Sequence, residues 1–210
     1  MKKFIVFWMA LCLMVSAVSA QNKQLEKMRE KEYKTKMKEY KTDNWKLFGS
    51  SRSLEVALLT HYEKLNNLGD DGREVLGVAT QFKSKNVGHQ MAINSACVTY
   101  AQQAGSHLQG RVLSSMKGDG VDGEGEMDHL YAAYERLVEK EIKGEMQESY
   151  SVIHDNGDGT FEMQTFFIIS ESAASKARIR AMENAARETE MAQKYAEKVS
   201  EFVKEGFVNE

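Results

Sequence analysis

Proline is absent from this 210-residue chain, and cysteine occurs only twice. Proline usually makes up about 5% of a protein and breaks helices, so its absence favours long, uninterrupted helices. Cys12 lies in the apolar run at the start of the chain. A chain that loses this run keeps Cys97 alone and cannot form an internal disulfide. We expect Cys97 to be a small buried residue on a helix rather than a reactive thiol.

An excess of basic residues is also missing, because 28 Lys and Arg stand against 31 Asp and Glu, a formal net charge of −3. Surfaces that bind nucleic acid broadly are basic, so the charge argues against a nucleic-acid partner. The apolar run Phe4–Val15 is shorter than the roughly 20 residues that cross a bilayer. No later run is apolar enough. The sequence therefore predicts no transmembrane segment after residue 20.

The first 20 residues have the three parts of a secretory signal peptide. Lys2 and Lys3 precede the apolar run, and small residues fill 16–20, so we expect cleavage after Ala20. An uncleaved anchor is the alternative. Leu11 stands where a bacterial lipidation site needs a small residue before its cysteine, so Cys12 is not expected to carry lipid. The predicted location is exported: periplasmic, associated with the outer membrane, or secreted.

Residues 21–43 predict a charged N-terminal helix. A thin apolar stripe includes Leu25, Met28, Met37 and Tyr40 at helical spacing, and several Glu and Lys residues lie three or four positions apart. The narrow apolar face favours a solvated helix that spaces the domain from its surroundings. Peripheral contact of 21–42 with an acidic surface or anionic lipid headgroups is the alternative.

The remainder, 44–210, predicts a single α+β domain: a small, mainly antiparallel sheet packed by two or three long helices. The central element is a helix over 86–111, with small residues at Ala92, Ala96 and Gly105 that predict a close approach to a sheet or another helix. Strands are predicted at 45–48, 73–82, 144–154 and 160–169, and the other helices at 53–65, 127–143 and 171–205. Turn or loop structure is predicted for 66–72, 117–127 and 155–159.

No stretch carries a recognisable site for chemistry. The turn 155–159 has glycine at the third and fifth positions, where a calcium loop needs oxygen ligands, so it predicts a tight turn. The acids of 117–128 stand among flexible glycines without ligand spacing. The five histidines show no pair at ligand spacing; they are His61, His89, His107, His129 and His154. We expect His61 and His107 to be partly buried, and we assign no catalytic residue, cofactor-binding residue, cofactor or metal ligand.

Three stretches together resemble a known group: REVLGVATQF at 73–82, NVGHQMAINSACVTYAQQAGSHLQGRV at 86–112 and FEMQTFFIISESAASKARIRAMENAA at 161–186. Over about 70–205 the chain resembles exported bacterial envelope proteins related to the LPP-twenty type of outer-membrane lipoprotein. The unit 45–82 resembles the forms found in gut Bacteroidetes. The resemblance implies an α+β domain at the cell envelope and brings no catalytic residues with it. The chain departs from the lipoproteins by lacking a usable lipidation cysteine.

These observations predict an exported cell-envelope domain that is not an enzyme and works by contacting other envelope proteins, or serves a structural role there. The alternative is a periplasmic protein that binds a small ligand or ion in a cleft beside the sheet. An enzyme ranks last, because it would need an exposed Cys97 next to a histidine.

Overall fold

The computed structural model describes residues 23–116 and 124–188, together with Val203. Within these residues five α-helices and a four-stranded antiparallel sheet form an α+β fold, which confirms the fold class predicted from the sequence. The predictions for the signal peptide, for loop residues 117–123 and for most of the helix beyond Glu188 lie outside the described residues.

The elements follow the predicted order closely. The helices are α1 (23–42), α2 (Leu54–Leu68), α3 (Lys85–Met116), α4 (Glu124–Ile142) and α5 (Glu171–Glu188). The strands are β1 (Lys46–Phe48), β2 (Gly72–Phe82), β3 (Gln147–Asp155) and β4 (Phe161–Ser170).

Several predicted boundaries are wrong. Helix α3 reaches Met116, beyond the predicted 111, and β3 begins at Gln147 rather than at 144. Residues 66–68 were expected in a turn, but α2 continues to Leu68 and ends at Gly69, whose positive φ of 58° allows its N–H to reach the carbonyls of Leu65 and Asn66. A short 3₁₀ turn, Gly69–Asp71, then leads into β2. Residues 124–127, which were predicted as part of a loop, belong to helix α4.

The sheet has the order β1-β3-β4-β2, and every neighbouring pair is antiparallel. Strands β3 and β4 form the predicted hairpin. At its turn the Oδ1 atom of Asp155 accepts the N–H of Gly157, and that of Asp158 accepts the N–H of Thr160, both at 2.9 Å. The carboxylates of Asp155 and Asp158 therefore stabilise the turn, which is the tight turn predicted for 155–159.

Helices cover both faces of the sheet. On one face Val75, Phe167 and Ile169 join the core cluster of α3, α4 and α5, which also includes Val203. On the other face Phe166 and Val152 pack against α1 and α2. Alternate residues of β4 therefore serve two different cores, as the two-residue period of a strand requires.

Helix α3 lies very close to β2, as its row of small residues predicts. A Cβ atom added at Gly77 would overlap the carbonyl of Ala92 and touch the Cβ of Ala96. Both alanines are fully buried. Glycine in the strand and alanine in the helix thus let the two backbones meet with no larger side chain between them.

Helix α1 is not the solvated spacer that its narrow apolar stripe suggested. Tyr40 is fully buried, and its hydroxyl donates a hydrogen bond to Oε1 of Gln164 at 3.2 Å. Met37 is buried beside it, and Nη1 of Arg29 donates to Oδ1 of Asn66 in α2 at 2.9 Å. The prediction was wrong because basic side chains such as Lys36, whose ammonium lies over the ring of Phe166, widen the packed face beyond the apolar stripe.

Among the described residues, no helix combines the length and the apolar character that crossing a membrane requires.

Replacing Gly77 with alanine should destabilise the fold, because the added methyl group would force α3 away from β2. We expect Gly77→Ala to lower the free energy of unfolding by about 1–3 kcal/mol. Gly110 of α3 is the matched control, since nothing lies within 4 Å of a Cβ added there. Gly110→Ala should be neutral or stabilising by up to about 1 kcal/mol. Urea denaturation followed by circular dichroism measures both, and equal midpoints would contradict the proposed close contact.

Candidate interaction site at the edge of the sheet

Strand β2 forms one edge of the sheet, and no described strand pairs with its outer side. The N–H of Val78 points to that side, where it donates to Oγ of Ser95 in α3 at 3.4 Å. Residues two apart in an antiparallel strand direct their N–H and C=O groups to the same side. The backbone groups of Glu74 and Leu76 therefore also face outward, so 74–78 presents a row of hydrogen-bonding groups.

Two apolar side chains of this edge are exposed. Leu76 and Val78 keep 37% and 42% of their surface accessible to solvent. They pair in register with Phe166 and Gln164 of β4, which places them on the sheet face that α1 and α2 cover. Natural sheets usually protect such edges, because an exposed edge strand pairs readily with another chain.

The edge ends at a bulge. The register of β2 with β4 shifts between Ala79 and Phe82, where Gln81 adopts a positive φ of 55°. A bulge bends and twists the strand and so terminates regular pairing. With the N–H of Val78 already bonded to Ser95, the backbone groups open to a partner are those of Glu74 and Leu76 and the carbonyl of Val78.

A groove of about 600 Å³ runs between β2 and α3 on the other face of the sheet. Most of the residues that line it are polar types, and they are Arg73, Glu74, Val75, Thr99, Tyr100, Gln102, Gln103, Ser106 and His107. The residues from α3 recur at steps of three and four, so they form one side of that helix. The alternative prediction was a small-ligand site in a cleft beside the sheet, and this groove is the candidate for such a cleft.

A buried arginine contacts Tyr100, one of the residues that line the groove. Arg178 of α5 is 2% exposed and donates hydrogen bonds to the hydroxyl of Tyr100 in α3 and to Oε1 of Glu171. Oε2 of Glu171 lies 3.5 Å from Nε of Arg73 in β2. Burial raises the pKa of the Tyr100 hydroxyl, which keeps it protonated. These contacts join α3, α5 and β2 next to the groove.

A second polar contact holds β2 from the opposite face. His61 of α2 is fully buried, and its Nε2 lies 2.5 Å from Oε2 of Glu74. The sequence predicts only partial burial for this histidine. The partner was missed because the two residues, 13 positions apart, belong to different elements and form no motif.

The other histidines lie apart from one another. His89 pairs with Glu148 of β3 at 3.0 Å, and the ring of His154 lies 5.3 Å from that of Trp45. His107 is half-buried in the groove, as predicted.

Of the acids in 117–128, Glu124 and Glu126 belong to α4 and Asp128 is exposed, while Asp119 and Asp122 lie outside the described residues. Within the described ranges, no three His, Cys, Asp or Glu residues are arranged to hold a metal ion.

Cys97 is buried, which confirms the prediction from sequence. It is 2% exposed in the core between α3, α4 and α5, and burial raises the pKa of its thiol. A raised pKa keeps the sulfur in its unreactive thiol form at neutral pH.

Comparisons with family profiles, curated proteins and solved structures found no match for this chain. The resemblance to LPP-twenty type envelope proteins therefore stays a prediction.

Cys97 should resist thiol reagents until the protein unfolds. In a Cys12→Ser variant, which leaves Cys97 as the single thiol, we expect labelling at pH 8 to be at least about 100-fold slower in buffer than in denaturant, because reaction requires opening of the core. Adding Ser106→Cys to this variant provides an exposed thiol on the same helix as a positive control. Rapid labelling of native Cys97 would reopen the possibility of a thiol-dependent enzyme.

Proposed function

We propose that this chain is an exported cell-envelope domain without catalytic activity, which binds an extended segment of another envelope protein along the outer side of β2. The observation that carries the proposal is the exposure of Leu76 and Val78 on an edge strand. Export is supported by the signal-peptide pattern of residues 1–20. The envelope is supported by the resemblance described above.

An extended segment is the partner that this edge suits best. A strand added beside β2 would form main-chain hydrogen bonds with the groups of Glu74 and Leu76, independently of its own sequence. Its alternate side chains would lie beside Leu76 and Val78 on one face and over the groove on the other. Apolar residues on the first face and polar residues on the second would therefore bind best.

Cross-linking from the edge tests this proposal. A photoreactive amino acid at position 76 should cross-link in the source cells to one envelope protein, and mass spectrometry should place the link in an extended segment. The same residue at position 59 is the control, since Leu59 is also exposed, at 53%, but lies on α2. Links to a second copy of this chain, or the same links from both positions, would contradict the proposal.

The captured segment, made as a peptide, allows a quantitative measurement. We expect Leu76→Lys to weaken its binding at least about tenfold, because a lysine on an edge strand opposes strand addition and removes an apolar contact. Leu59→Lys makes the same chemical change away from the edge and should leave the dissociation constant unchanged. Equal affinities for the two variants would rule out binding at β2.

A second candidate function is the binding of a small carboxylate in the groove between β2 and α3. Arg73 lines this groove and keeps 43% of its side chain exposed. Hydroxyl and amide side chains of Thr99, Gln102, Gln103 and Ser106 line it as well. A guanidinium group is a common partner for a carboxylate, and the part of Arg73 that stays exposed beside its contact with Glu171 would be the binding group, in a lining that also includes Glu74.

Thermal unfolding with succinate and with L-glutamate tests this second candidate. A ligand present at about ten times its dissociation constant stabilises the native state by about 1.4 kcal/mol, which raises the melting temperature by several degrees. Arg73→Gln should abolish the shift. Arg52→Gln, at an exposed position outside the groove, should retain it. If neither succinate nor L-glutamate raises the melting temperature of the parent chain, the groove does not bind these carboxylates and the second candidate function is contradicted.

A further inference from the structure

Six lysines form a straight row along the outer side of α1. They are Lys23, Lys27, Lys31, Lys34, Lys38 and Lys41, and all six are exposed. At 3.6 residues per turn their steps of three and four keep them within a sector of about 80°, and they extend over about 27 Å of the helix. We refer to these six residues as the lysine row.

The structure separates this row from the basic residues that stabilise the fold. Arg29 is bonded to α2, and Lys36 lies over Phe166, so both are on the side of α1 that faces the sheet. Among the described residues, ion pairs hold two members of the row: Lys34 with Glu30 at 2.7 Å and Lys41 with Glu55 at 2.9 Å. Lys23, Lys27, Lys31 and Lys38 have no ion-pair partner within that part of the chain.

The charge of α1 contrasts with that of the whole chain. Residues 23–42 contain eight basic and four acidic side chains, a formal charge of +4, whereas the complete sequence carries −3. The positive charge is thus concentrated on one exposed helix face. Such asymmetry attracts an anionic partner even when the protein as a whole is acidic.

We propose that the lysine row binds the surface of an anionic phospholipid bilayer. The apolar side of α1, with Met37 and Tyr40, is packed on the sheet, so the helix cannot insert and the contact is electrostatic. A lipid surface suits the row better than a protein does, because protein interfaces favour arginine and aromatic residues and are depleted of lysine. The exposed residues beside the row are Gln24, Thr35 and Thr42 on one side and Glu26 and Glu30 on the other, so lysines outnumber acids on this face.

This proposal is independent of the binding proposed for β2, because the two surfaces share no residue. Each lysine near an anionic bilayer contributes about 1 kcal/mol, or about fivefold, so the four unpaired lysines together supply about a 700-fold preference. Attraction of this kind weakens when salt shortens the Debye length from about 10 Å at 0.1 M toward about 3 Å at 1 M.

Co-sedimentation of the full chain with vesicles tests the proposal. The parent should bind vesicles containing about one-third phosphatidylglycerol at least tenfold better than pure phosphatidylcholine vesicles, and salt should abolish the difference. The combined changes Lys23→Gln, Lys27→Gln, Lys31→Gln and Lys38→Gln should reduce binding to the anionic vesicles at least about tenfold, because they remove most of this preference.

The matched control removes four exposed lysines elsewhere, by Lys46→Gln, Lys64→Gln, Lys83→Gln and Lys140→Gln. Both variants lose the same total charge and share residues 1–22, so binding through the apolar run Phe4–Val15 is common to all chains. The control should stay within about threefold of the parent, because its lysines lie outside the row. Equal losses in the two variants, or no preference of the parent for anionic vesicles, would overturn the proposal.

Discussion

The close contact between α3 and β2 is the constraint on which the rest of this structure depends. The absence of a side chain at Gly77 allows Ala92 and Ala96 to lie directly on the strand. Dispersion forces and the hydrophobic effect both favour such an approach, because they act only when surfaces meet without a gap. Once α3 is fixed over β2, its 32 residues provide the surface on which α4 and α5 complete the core. The groove is the space between α3 and β2, and residues of both elements line it.

An edge strand has a partner strand on one side only, so β2 needs other means of being held in place. Two successive residues, Arg73 and Glu74, hold the strand from both sides, because neighbouring side chains of a strand point to opposite faces of the sheet. Arg73 reaches Glu171 at the start of α5, and Glu74 reaches the buried His61 of α2. Charged groups are costly to bury without partners, so each of these contacts favours one position of the strand over its alternatives. Strand β2 is therefore held from both faces while its outer backbone groups remain open.

Features that depend on local periodicity could be predicted from the sequence. The small residues of α3 follow the helical period and predicted its tight packing, and the glycines and acids of 155–159 predicted the hairpin turn. The polar contacts of the candidate site could not be predicted. Arg178 contacts Tyr100, which is 78 positions away, and such pairs leave no spacing signal in a single sequence. The packing of α1 was missed for another reason: the basic residues Arg29 and Lys36 contribute to the packed side of the helix, and an apolar stripe does not count them.

The two proposed surfaces lie on the molecule in a way that lets both act at once. Helix α1 packs on one face of the sheet and α3 on the other, so the lysine row and the groove point in opposite directions. With the row on a bilayer, the sheet would lie on the order of 15 Å from the lipid surface, given the radius of a helix with its side chains and the usual spacing of packed layers. That distance exceeds the Debye length of about 8 Å at physiological salt. An extended segment pairing with β2 would then experience little of the charge that holds α1, so affinity for the membrane and selection of the partner would rest on separate parts of the fold.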